Sequence, residues 1–160
     1  MTVKKKKVLI WGAVIVMLVG GFLALRIPSW TRTYGLSEDV IAGERMPTAE
    51  ETIRLYFYYC NRRDEQAARQ LLTIHMAAQP EAFALDESVE NWLFVDHKIR
   101  DIYPWDNNEP EESATVMGFG VEDCEDYLWA SLASDSRSLD YELRRADVNS
   151  PWRIYSIGNG

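Results

Sequence analysis

Thr115-Val116-Met117-Gly118-Phe119-Gly120-Val121 sets the character of the C-terminal half of the chain. Thr115, Met117, Phe119 and Val121 alternate with Val116, Gly118 and Gly120, and a period of two belongs to a β-strand, whose successive side chains point to opposite faces. The two glycines fall on one face and predict a bend or bulge there. Further along, Leu139, Tyr141 and Leu143 alternate with Asp140, Glu142 and Arg144, the pattern of a strand with one wet face. Phe94 to Tyr103, Tyr127 to Leu132 and Trp152 to Ile157 read as further strands. Pro104, Asp106-Asn107-Asn108-Glu109-Pro110 and Asn149-Ser150-Pro151 supply the breaks and turns between them.

Toward the N-terminus the period changes. Thr48-Ala49-Glu50-Glu51 has the form of a capping box, in which a threonine oxygen and a glutamate satisfy each other's backbone donors at a helix start. Ile53, Tyr56, Phe57 and Cys60 then recur at spacings of three and four, a buried helical stripe. Asn61-Arg62-Arg63-Asp64 interrupts the stripe, and Ala67, Ala68, Leu71, Leu72 and His75 resume it as a second helix. Pro80 opens a short third helix through about Asn91. Helices followed by an antiparallel meander predict an α+β domain.

Before the helices lies Val8 to Leu25, VLIWGAVIVMLVGGFLAL, without a charged residue and bracketed by Lys4 to Lys7 and Arg26. At 1.5 Å per residue it spans about 27 Å, close to the ~30 Å of bilayer hydrocarbon, and predicts a transmembrane helix. The lysines place residues 1–7 in the cytoplasm by the positive-inside rule. The run exceeds the h-region of a signal peptide and lacks an A-x-A site, so an uncleaved signal anchor is expected. Residues 26–46 read as a stalk, and residues 47–160 as a single extracytoplasmic domain in a single-pass membrane protein.

Composition supports one folded, acidic domain. The hydrophobic fraction is 47% and the aromatic fraction 12%, enough apolar surface to offset ordering entropy. Of 17 basic and 25 acidic residues, 5 basic and no acidic ones lie at or before Arg26, leaving 12 against 25, a balance of -13. Phosphate backbones need Lys and Arg to displace counterions, so nucleic acid is excluded as a partner.

Pro47-Thr48-Ala49-Glu50-Glu51-Thr52, running into Tyr56-Phe57-Tyr58-Tyr59 and then Asn61 to Asp64 with Ala67, Ala68, Leu71 and Leu72, resembles the opening of the nuclear transport factor 2-like superfamily. Trp152-Arg153-Ile154-Tyr155-Ser156-Ile157-Gly158 resembles the closing strand of its bacterial extracytoplasmic members. The resemblance covers about Pro47 to Gly160. It implies a cone-shaped α+β domain of about three helices packed on a curved, mainly antiparallel sheet that can enclose a pocket. It implies no particular reaction, because that fold hosts isomerases, dehydratases and domains without catalytic residues.

Enzymes of that resemblance use a pocket carboxylate, in some cases with a histidine, as acid or base. His97 with Asp101 is the matching pair here, on one strand and one face if the alternation holds, whereas Asp96 falls on the other face. No family motif maps onto these positions. Glu122-Asp123-Cys124-Glu125-Asp126 and Asp106 to Glu112 lack the spacing of a calcium loop and read as solvated turns. Cys60 and Cys124 form either a disulfide or, with Cys60 on the apolar stripe, leave a buried thiol. No metal-ligand spacing and no cofactor motif is present.

The sequence therefore predicts a membrane-anchored extracytoplasmic binding or interaction module without catalysis. Its expected partners are the lipid bilayer through residues 8–25 and a small molecule or a protein, with oligomeric state open. A small acid-base pocket enzyme and an accessory subunit of a cell-envelope complex are the alternatives.

Overall fold

The computed structural model describes residues 11–21, 31–78, 95–127 and 136–159. The chain divides into two compact units, Met1–Arg32 and Thr33–Gly160. In the first, residues 11–21 are helical and exposed. Among the described residues no helix is long and apolar enough to cross a membrane, which corrects the expected transmembrane helix over 8–25 and the single-pass, signal-anchor topology built on it. The other residues of that run lie outside the described ones.

The fold of the second unit is a four-stranded antiparallel meander in the order β1-β2-β3-β4. Its strands are β1 (Val95–Pro104), β2 (Val116–Tyr127), β3 (Ser136–Arg144) and β4 (Arg153–Asn159). Within this unit four helices precede it among the described residues: α1 (Glu38–Ile41), α2 (Ala49–Arg62), α3 (Glu65–Gln70) and α4 (Ile74–Ala77). Only α2, with 14 residues, exceeds two turns. Four short elements and one meander replace the expected cone of about three helices on a curved sheet. The third helix expected from Pro80 to Asn91 lies outside the described residues.

Helix α2 begins where its sequence dictates. Thr48 Oγ1 accepts from the Glu51 N–H at 3.2 Å and Glu51 Oε2 accepts from the Thr48 N–H at 2.9 Å, so both members of the box are satisfied. It ends at Arg63, in the left-handed region at φ 61°, whose N–H and that of Asp64 reach the Cys60 and Tyr59 carbonyls. The second expected helix is split. Leu71 and Leu72 bury their side chains while their backbone joins β4: the Ile154 N–H donates to the Leu71 carbonyl at 2.8 Å, and the Thr73 N–H to the Ile154 carbonyl at 2.9 Å. Edge pairing with the sheet wins over two more residues of helix.

The core lies between α2 and the inner face of the sheet. Ile53, Tyr56, Phe57 and Cys60 from the helix meet Phe119, Val121, Tyr141, Leu143 and Ile154, all at or below 4% exposure. The Phe57 ring lies 6.1 Å from that of Tyr141 and 5.9 Å from that of Tyr56, ordinary separations for aromatic packing. Residues read as stalk also enter it: Tyr34, Leu36 and Val40 are buried, and the fully buried Asn61 donates from Nδ2 to the Tyr34 hydroxyl.

Arg45 holds that incoming segment against the start of α2. Its guanidinium forks onto Glu51 at 2.8 and 2.9 Å and reaches Asp39 at 3.0 Å. Arg45 holds the Glu51 carboxyl below its ordinary range, while Ser37 and then Arg45 do the same for Asp39. A carboxylate with a depressed folded pKa contributes stability that is present above its unfolded value and lost as pH falls through the folded one. The unfolded values are 4.5 for Glu51 and 3.8 for Asp39. Thermal stability is therefore expected to fall below about pH 4, and Arg45→Gln to narrow the difference between about pH 6 and pH 3. Equal pH profiles for the two proteins in calorimetry would contradict the clasp. Because these groups are largely exposed, the effect is small.

Candidate binding face of the sheet

Pairing register determines which residues share a face. β2 and β3 pair without interruption from Val116↔Arg144 to Cys124↔Ser136. No bulge sits at Gly118 or Gly120, contrary to the sequence expectation. The irregularities fall on the outer strands: β1 shifts between Ile99 and Asp101, and β4 skips Tyr155 between Ser156 and Ile154. The acidic run Glu122 to Asp126, expected as a turn, is the second half of β2 and pairs with both neighbouring strands.

The shift in β1 separates the two residues proposed as an acid-base pair. Position 97 pairs with Glu125 and position 101 with Glu122. Paired positions share a face and β2 alternates, so 125 and 122, and hence 97 and 101, belong to opposite faces. Asp101 is exposed, and its Oδ1 accepts from the Ile102 N–H at 2.9 Å. The side chain of His97 lies outside the described ones. Cys60 is buried on α2, and because the side chain of Cys124 is likewise outside, so is their pairing.

Two glycines on the outer face have a different use from the one expected. A Cβ on Gly120 would lie 2.2 Å from Tyr103 Cε2, and one on Gly118 would lie 2.0 Å from Trp105 Cε3. Each glycine is therefore the floor on which an aromatic ring rests, a contact that any side chain would forbid. Trp105 is fixed from below. Its N–H donates to the Gly118 carbonyl at 3.0 Å, and the Asn108 amide pairs with Gly118 twice, donating to its carbonyl at 2.7 Å and accepting from its N–H at 2.9 Å. Tyr103 remains 42% exposed and meets Ser138 Oγ at 3.3 Å through its hydroxyl.

Carboxylates surround the rings. Tyr103 pairs with Gly120, which pairs with Asp140, and the adjacent row is Asp101, Glu122 and Ser138. Glu122 and Asp140 have no ion-pair partner among the described residues. One row beyond, Glu142 holds Arg144 at 2.6 Å, and the Arg144 guanidinium lies 3.4 Å over the Tyr155 ring. Burial lowers the pKa of Arg153, which pairs with Arg144 at the edge of this face.

The nearby acid of the 106–112 loop is committed elsewhere. Glu111 Oε1 accepts from the Ala49 N–H at 2.8 Å and from Trp152 Nε1–H at 2.9 Å. Arg145 lies 4.3 Å over the Trp152 ring and donates to the carbonyls of Ala114, Val148 and Glu111. This set joins loop, helix start and last strand. Among the described residues no group of three or more His, Cys, Asp or Glu side chains is placed to hold a metal ion.

Gly118→Ala is expected to push Trp105 off β2 and break the Asn108 pairing, at about 1–3 kcal/mol, the usual range for overpacking a filled site. Urea denaturation measures it. A neutral change would mean that the ring does not rest on Gly118. No family model, no curated protein and no solved structure matches this chain.

Proposed function

We propose that the chain is a non-catalytic binding module that takes its ligand on the outer face of the sheet. The observation that carries this reading is the pair of rings seated on Gly118 and Gly120 with the carboxylates of Glu122 and Asp140 beside them. Tyr103, although packed on Gly120, is left 42% exposed, so part of its ring stays available for contact. It presents a flat apolar surface with acceptors at its rim, a surface for contact and not for bond breaking. General acid-base chemistry needs convergent groups, and the register separates positions 97 and 101. Kinship with the nuclear transport factor 2-like group belongs to the same proposal, on the support of the capped helix Ala49–Arg62 and the closing strand Arg153–Asn159.

Native mass spectrometry of the purified full-length chain, beside Tyr103→Ser, tests the reading. A molecule that remains bound to the wild type and is lost from Tyr103→Ser, with a cooperative thermal melt retained, is the expected result. Equal retention by both proteins would place the site elsewhere. Chemical conversion of a bound molecule by the wild type would make the module an enzyme and overturn the reading.

A further inference from the structure

The outer face already holds one cation, and the way it does so indicates what the rest of the face can hold. Arg144 is stacked on Tyr155 at 3.4 Å and bonded to Glu142 at 2.6 Å, an aromatic face and a carboxylate on the same guanidinium. Such an arrangement is favourable because the ring's negative face and the carboxylate attract the same charge. The next row repeats the elements. Tyr103 supplies the ring, and Asp140 and Glu122 supply the carboxylates at the neighbouring register positions. Among the described residues no guanidinium or ammonium stacks on Tyr103, and neither carboxylate has an ion-pair partner.

From this repetition we infer that the row centred on Tyr103 docks an arginine or lysine side chain of a basic partner segment, an inference that rests on the outer-face reading above. Charge favours that occupant on two scales. Locally, Asp101, Glu122 and Asp140 occupy the register positions next to Tyr103, while the cations of β1 are Lys98, paired with Cys124, and exposed Arg100 at the strand's irregularity. Globally, the chain beyond Arg26 carries 12 basic against 25 acidic residues, a balance that repels a second copy and steers a cationic partner toward it. The row admits an extended segment lying across the strands with its cationic side chain over the Tyr103 ring, which itself covers Gly120.

The test is a titration of the ¹⁵N-labelled full-length chain with a hexa-arginine peptide at two salt concentrations, with a Gly-Ser hexapeptide as control. Amide shifts centred on Gly118, Gly120 and Asp140 are expected with hexa-arginine alone. Tenfold or greater weakening is expected in Glu122→Gln/Asp140→Asn, with clear weakening in the wild type at higher salt. Shifts on those amides that the double variant leaves unchanged would overturn the cation inference while leaving the outer-face reading intact. Shifts centred elsewhere, or none, would overturn the inference and count against the face. Concentration-dependent shifts of the same amides without peptide would identify a second copy as the occupant and overturn it too. Because the two substitutions lie on an exposed face, a thermal melt matching the wild type is the required control for folding.

Discussion

Trp152→Ala is expected to destabilise the Thr33–Gly160 unit by about 3–5 kcal/mol, the range for removing a large buried aromatic side chain. The indole is 2% exposed and does more than fill space. Its Nε1–H bonds Glu111 at 2.9 Å, the same oxygen caps Ala49, and Arg145 stacks on the ring at 4.3 Å while holding the 111–114 loop. Removing it empties the core and loosens a cation and a carboxylate together. Trp152→Phe separates the two effects: it keeps most of the packing and removes one donor, at a cost of about 1–3 kcal/mol. Chemical denaturation monitored by circular dichroism reads both. If alanine cost no more than phenylalanine, the ring would not be the junction of helix, loop and last strand.

The second large effect belongs to the helix side of the same core. Phe57, 3% exposed, meets Tyr141 at 6.1 Å and Tyr34 at 6.5 Å, so it touches the central strand and the incoming segment at once. Phe57→Ala is expected to cost about 3–5 kcal/mol. That is a large share of the ~5–15 kcal/mol total of a typical domain, and partial unfolding near body temperature follows. A change under about 1 kcal/mol, typical of surface positions, would mean that α2 turns a different face to the sheet.

Local signals in the sequence identified local structure. The Thr48 and Glu51 box, the interruption at Arg63 and the inward set Leu139, Tyr141 and Leu143 depend only on neighbours along the chain, and each is present. What depends on partners across space was read less well. Gly118 and Gly120 read as a bend or bulge because nothing local says that Tyr103 and Trp105 will lie on them. The two outer-strand shifts did leave a trace. Ile99 and Ile102, and likewise Ile154 and Ile157, are three apart yet both members of each pair pack toward the core, which strict alternation forbids and one extra residue permits. That spacing would have separated positions 97 and 101 from sequence alone. The apolar run 8–25 predicts a membrane span from hydropathy alone, and among the described residues no helix is long and apolar enough to cross a membrane.

The account's central claim is that the Tyr103 ring lies on Gly120 and keeps part of its surface, 42% exposed, available for contact. Proton NMR of the full-length chain tests this without any ligand. A ring lying on a glycine shields the α protons beneath it, so the Gly120 α resonances are expected well upfield of their usual range. Tyr103→Ser should return them to that range, with a cooperative thermal melt showing that the fold is retained. Ordinary Gly120 shifts in the wild type, or a melting temperature that collapses in Tyr103→Ser, would contradict the claim.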